Sequence, residues 1–183
     1  MAQTEKPLKN KTIMKQLFVI RHAKSSWDNP RLPDFDRPLN NRGLRDAPAM
    51  ARIVEKNHKP PEILITSTAN RALQTAQFFS LAWSLREDEC SEEPQLYHAS
   101  VSTILSVVRR IDESVKSAAI VGHNPGLTDF VSELAGGEAP YDLPTCAICL
   151  LTSEAEYWSA FDCSAVHLTA YFYPKKDMDH YQF

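Results

Sequence analysis

Cysteine is scarce in this chain. The four that 183 residues contain, Cys90, Cys146, Cys149 and Cys163, are too few and too irregularly spaced for a disulfide scaffold. Cys146-Ala-Ile-Cys149 has redox-motif spacing, but it opens an apolar run, Cys146 to Leu151, that reads as a strand. Residues three apart on a strand face opposite ways, so both thiols are expected as separated, buried small hydrophobes. Long apolar runs are missing as well. Nothing approaches the roughly 20 residues a membrane span needs. The first fourteen residues, MAQTEKPLKNKTIM, are polar and lysine-rich and lack the apolar core of a secretory signal. Glu5 and the want of arginine count against a transit peptide, and Met14 offers an alternative start. The expected location is the cytoplasm. A basic excess is also absent: 20 Lys and Arg face 23 Asp and Glu, for a net charge of -3. Neither nucleic acid nor membrane is therefore expected as a partner, although a local basic pocket remains open.

What is present is ordinary for a globular chain: 43% hydrophobic and 23% charged residues, in a length suited to one domain with a full core. Short β-branched runs predict strands at Gln16–Ile20, Ile63–Thr66, Ala118–Val121, Cys146–Leu151 and Val166–Tyr173. Helical spacing of apolar residues follows Gly43 and recurs over Ala69–Trp83, Ser100–Ile111 and Leu127–Leu134. Alternating strands and helices predict an α/β fold, a three-layer sandwich with a mostly parallel central sheet and helices on both faces. The unbroken apolar runs at 17–20 and 118–121 suit central strands buried on both sides. No repeat or linker divides the chain. The expected organisation is a disordered lead-in over residues 1–14, one domain over 15–173 and a tail over 174–183, in a monomer.

In such folds ligands sit beyond the carboxyl ends of the parallel strands. There the sequence places Arg21-His22, then Ser67-Thr68 leading to Arg71, then Gly122-His123-Asn124-Pro125. Any one of these is more often structural than catalytic. Together they bring two arginines and two histidines to one rim, with no carboxylate positioned there by the same rule. Such a cluster suits an anion, and two guanidinium forks match the oxygens of a phosphoryl group. The helix expected after Pro125 adds the positive end of its dipole.

Leu17-Phe18-Val19-Ile20-Arg21-His22, Thr66-Ser67-Thr68 with Arg71-Ala72-Leu73-Gln74-Thr75-Ala76, and Val121-Gly122-His123-Asn124-Pro125 resemble, in order and spacing, the three blocks of the histidine phosphatase superfamily. Asp36-Arg37-Pro38-Leu39-Asn40-Asn41-Arg42-Gly43, Tyr97-His98-Ala99 and Leu143-Pro144-Thr145 make the resemblance strongest to its SixA-type phosphohistidine phosphatase branch. It covers Lys15 to Tyr173. The resemblance implies a phosphoglycerate mutase-like fold and a metal-independent phosphatase without cofactors. In it His22 attacks phosphorus and becomes phosphohistidine, Arg21 and Arg71 hold phosphoryl oxygens, and His123 adds a donor. The residues agree with these roles: the arginines should disfavour protonated His22 and keep it nucleophilic, while its other ring nitrogen donates to a backbone carbonyl. Lys24, Ser25 and Asn124 are expected to line the pocket.

Two departures stand out. Ala23 occupies a place that is usually Gly in the superfamily, which would cost stability if positive φ were needed. Where many relatives carry a general-acid Glu, this chain reads Gln95-Leu96-Tyr97-His98. Imidazole leaves more readily than an alkoxide, so the missing acid favours phosphohistidine on a protein as substrate; Asp28, Asp34, Asp36, Tyr97 or His98 remain as proton donors from loops. The alternatives are a phosphomonoesterase for small molecules on the same fold, a silent anion-binding domain, and a metal hydrolase built on His22 and His123. The last lacks a third ligand, so no metal is expected.

Overall fold

The computed structural model describes residues 15–164 and 166–178. The lead-in expected over residues 1–14 lies outside them. Six strands form one sheet: β1 (Lys15–Arg21), β2 (Ile63–Thr66), β3 (Cys90–Glu92), β4 (Ser117–Gly122), β5 (Ile148–Ser153) and β6 (Val166–Phe172). Their order is β3-β2-β4-β1-β5-β6. The first four of that row are mutually parallel, and β5 and β6 run antiparallel at one edge. The sandwich with a mostly parallel sheet is thus the observed architecture.

Alternation along the central strands builds two cores. Leu17 and Val19 of β1 and Ala118 and Ile120 of β4 face one layer of helices, α3 (Val101–Arg109) and α4 (Gly126–Ala135). Phe18 and Ile20, with Ala119 and Val121, face the other, α1 (Asn41–Asn57) and α2 (Asn70–Ala82). Both sides of these strands are apolar because both are covered, and that is why their sequence runs do not alternate. Asn40 caps α1 by accepting from Gly43 N–H, and Ser100 caps α3 by accepting from Thr103 N–H. Gly43 also permits a close approach. A Cβ there would lie 2.3 Å from the Lys24 carbonyl oxygen, so only glycine lets α1 press against the loop after β1.

Three features differ from the expectations. The strand β3 has no counterpart among the expected strands: Cys90-Ser91-Glu92 is a short edge strand, polar and largely exposed, so it carries no apolar pattern. Cys146 and Ala147 precede β5 rather than belonging to it, because Cys146 sits at φ 62° and turns the chain. The two thiols are nonetheless buried in opposite cores, Cys146 with Phe18 and Cys149 with Leu17. The tail expected from Pro174 begins with a helical turn, α5 (Pro174–Asp177), seated on buried Pro174.

Candidate active site

Strand register decides the site. Arg21 pairs with Gly122 across β1 and β4, and Thr66 pairs with Val121 across β2 and β4. Three strands therefore end at one level, and backbone bonds carry the alignment past them: His22 N–H donates to Gly122 O at 3.0 Å, and Ser67 N–H to Val121 O at 2.9 Å. Beyond these ends His22, Arg71 and His123 converge as buried side chains. The rings of His22 and His123 lie 5.0 Å apart. The loop after His22 is tied to α2, since Ala23 N–H donates to Thr75 Oγ1 at 3.0 Å and that hydroxyl donates to Arg71 O at 2.7 Å. Ala23 is fully buried and is not among the residues with positive φ, so glycine's freedom is not needed there.

The tautomer of His22 is fixed from both sides. Its Nδ1 lies 2.8 Å from the Ala23 carbonyl oxygen, which can only accept, so Nδ1 carries the hydrogen. Nε2 therefore bears a lone pair, and Arg71 Nε–H donates to it at 3.2 Å. Burial is the main reason that the His22 pKa is lowered to about 3. The bond to Ala23 opposes that shift, and the charges of Arg71 and Arg21 add to it. The expectation that arginines keep this ring neutral thus needs correction: they contribute, but removal from water dominates. His123 is lowered to about 2, again chiefly by burial, then by His22 and Arg71. Its Nε2 meets Ser67 Oγ at 2.8 Å, while its Nδ1 is buried without a partner.

The site is not free of carboxylates, contrary to expectation. Asp34, in a short 3-10 turn (Asp34–Asp36), reaches over it. Arg71 donates to the Asp34 backbone oxygen at 2.5 Å and to Oδ2 at 2.9 Å. The Tyr97 hydroxyl donates to the same Oδ2 at 3.0 Å, and Arg37 to Oδ1 at 2.7 Å. Partial burial works against the Asp34 charge, but the bonds from Tyr97 and Arg37 and the charge of Arg71 prevail and hold its pKa at about 2. A second carboxylate, Asp142, stands 3.8 Å from Arg21. Strand-end reasoning could not find either, because both sit on connections. The one cue for Asp34 is its spacing of three from Arg37, which is the pairing observed.

The remaining expected residues divide. Arg21 is at the rim and donates to the Leu143 carbonyl, and its Nε is buried and unpartnered. Asn124 donates to Asp142 Oδ1 at 2.7 Å and to Leu143 O at 3.0 Å, leaving its own Oδ1 buried and unpartnered. Ser25 is buried, but its hydroxyl accepts from Arg37 at 2.6 Å and so holds the loop rather than the pocket. The Lys24 ammonium makes no contact with the other site residues; only its backbone oxygen is engaged, accepting from Asn40 N–H at 2.9 Å. Of the loop acids, Asp28 is occupied by Ser26 at 2.7 Å. Tyr97 is raised above its ordinary range, mainly by burial and then by its bond to Asp34. The orphaned nitrogens of Arg21 and His123 suit an anionic ligand, since buried polar groups in proteins are otherwise paired, whereas the orphaned Asn124 oxygen can only accept.

The family model for the histidine phosphatase superfamily (branch 1) matches residues 17–97, which include His22, Asp34, Arg71 and Tyr97. On these residues the chain is similar to the histidine phosphatase superfamily. Among solved structures, the chain is similar to the candidate phosphohistidine phosphatase SixA of Agrobacterium tumefaciens, with a TM-score of 0.74, 27% identity, and coverage of 87% of this chain and 98% of that one. A protein histidine phosphatase SixA complexed with tungstate shares the fold at a TM-score of 0.73 and 24% identity, covering 87% and 97%. By sequence it is 28% identical to an uncharacterized chloroplastic protein of Arabidopsis thaliana, over 80% of this chain and 70% of that one. An uncharacterized protein of Mycobacterium leprae is also 28% identical, over 85% of this chain and 100% of its own length. Family and fold together support phosphatase chemistry. No described helix is long and apolar enough to cross a membrane.

Proposed function

We propose that this chain is a phosphatase that transfers the phosphoryl group of phosphohistidine on another protein to His22, and then to water. The observation that carries the reading is the bare Nε2 of His22, held neutral by burial and aimed by the Ala23 carbonyl. Arg71 Nε–H caps that lone pair. A phosphoryl oxygen is a stronger, charged acceptor for the same donor, so substrate arrival exchanges a bond to a neutral acceptor for an ion pair and uncaps the nucleophile. Arg21 and the unpartnered nitrogen of His123 supply further donors, and catalysis is positioning plus stabilisation of the transferred charge.

The proton balance favours a P–N substrate. As the bond to His22 Nε2 forms, the bond from phosphorus to the substrate ring breaks. A substrate ring protonated on its other nitrogen departs as neutral imidazole and takes no proton from the enzyme. Phosphorylated His22 keeps Nδ1–H and becomes the same kind of cation, its charge facing the Ala23 carbonyl. Water then attacks phosphorus and both its hydrogens leave with dihydrogen phosphate, returning neutral His22. An alkyl ester needs a proton for its leaving oxygen. Asp34, at about 2, is ionised at neutral pH and cannot give one, and the raised Tyr97 phenol is a poor donor. The rim suits a protein: Trp27, Phe35 and Tyr141 are exposed aromatics, Trp27 lies over Arg37 at 3.2 Å, and Phe35 packs on the edge of Tyr97.

The test is kcat/KM on a phosphohistidine protein beside aryl and alkyl phosphates of graded leaving-group pKa. A steep dependence with phosphohistidine far ahead is expected, and Tyr97→Phe should alter phosphohistidine turnover little. A flat series, or a sugar phosphate outrunning phosphohistidine, would assign the chain to small-molecule esters instead.

A further inference from the structure

A groove of about 610 Å³ opens beside the site, between the start of α3 and the outer face of α4. Its volume is within the roughly 300–1,000 Å³ of sites that hold small ligands. It is continuous with the site through two residues. Pro125 follows the His123-Asn124 pair directly, and His98, at the mouth, has its ring 6.1 Å from that of His123 and 4.1 Å from that of Tyr97. Its floor is closely packed: a Cβ on Gly126 would lie 2.0 Å from the Ala99 carbonyl oxygen, so α4 is seated directly on that loop. Ala99, Val101 and Leu105 give it apolar surface, and Asp129 and Glu133, one helical turn apart on α4, give it an acidic wall. Both carboxylates are exposed, and neither has an ion pair or side-chain hydrogen bond among the described residues. The paired acids of the site differ in this: Asp34 and Asp142 both face arginines.

We propose that this groove is a specificity subsite for the segment flanking the phosphohistidine of a substrate protein, taking an apolar stem that ends in a cation. A lysine or arginine fits both halves, its methylenes on the apolar floor and its charge at Asp129 and Glu133. The inference rests on the phosphohistidine reading of the adjoining site. Charge complementarity selects the basic flank: an acidic one would set like charges side by side in the same groove. Because the wall is exposed, each pair contributes modestly and salt weakens it.

The experiment uses phosphohistidine peptides identical except for one Lys, Ala or Glu walked from three residues before to three residues after the phosphohistidine. At one or two positions Lys should raise kcat/KM about threefold to tenfold over Ala, and Glu should lower it, with the contrast fading as salt rises. In the full chain carrying Asp129→Lys and Glu133→Lys the order should invert, so that the Glu peptide becomes the better substrate. That gain cannot come from a misfolded variant. Turnover of all peptides without charge preference, or a preference that survives the swap, overturns the subsite alone. If no phosphohistidine peptide is turned over while an aryl phosphate is, the functional reading falls and the subsite falls with it.

Discussion

Replacing Arg71 tests the division of labour in the site most sharply. Its guanidinium donates to His22 Nε2 at 3.2 Å and to Asp34 twice, at 2.5 and 2.9 Å. Arg71→Ala removes one preorganised, buried donor to the transferred phosphoryl group, a loss worth about 10²–10³ in kcat, or roughly 2.7–4 kcal/mol. Stability should suffer less. Asp34 is left with Tyr97 and Arg37 as partners and is half exposed, so its charge is not stranded. Arg71→Lys restores charge without the planar fork, and an ammonium cannot span His22 and both Asp34 oxygens as the guanidinium does; about a tenfold recovery is expected. Steady-state kinetics on an aryl phosphate, with thermal unfolding as the control for folding, read both quantities. Folded Arg71→Ala retaining activity within about tenfold of the parent would refute the assignment of Arg71 as a main stabiliser of transferred charge.

Two further outcomes follow from the same geometry. Arginines and His123, not a metal ion, face the phosphoryl oxygens in the proposed mechanism, so activity should survive exhaustive EDTA treatment; loss on chelation, restored by zinc or magnesium, would contradict it. The ring nitrogens of His22 should report Nδ1–H and a bare Nε2 by NMR from neutral pH down to about pH 5, because its pKa is lowered to about 3 from the ordinary value of about 6.5. An unfolded chain takes up that proton below about 6.5 while the folded one refuses it until about 3, so this group makes stability fall as pH drops through that window. Protonation of His22 near pH 6.5 would show that burial does not set its state.

Much of the fold is legible in the sequence because the physics that makes it is local. Phe18 and Val19 lie in an unbroken apolar run because the two sheet faces are both covered, and the same run ends where Arg21 and His22 must emerge. The same rule, applied to β4 and to the connection from β2 to α2, finds His123 and Arg71. It does not find Asp34, because a 3-10 turn folded back over a strand end has no sequence periodicity to place it. The strand β3 escapes for a related reason, since in Cys90-Ser91-Glu92 Cys90 alone packs against a core, and one residue makes no apolar pattern. Ser25 reads as a pocket residue because its partner, Arg37, lies twelve residues away across the loop that both hold in place. The neutrality of His22 follows from the sequence with the wrong leading cause: charges can be counted in a sequence, whereas the water that a buried ring loses cannot.

A covalent phosphate on His22 is the central claim, and it can be trapped directly. Brief exposure of the protein to a phosphohistidine protein or an activated aryl phosphate, followed by an alkaline quench and peptide mapping, should recover a base-stable, acid-labile phosphate on Nε2 of His22. Nε2 is the nitrogen specified because Nδ1 is committed to the Ala23 carbonyl. His22→Ala should keep the fold and lose both the label and turnover. Phosphate recovered on a serine, a cysteine or His123, or turnover that persists in the folded His22→Ala chain, would contradict the account.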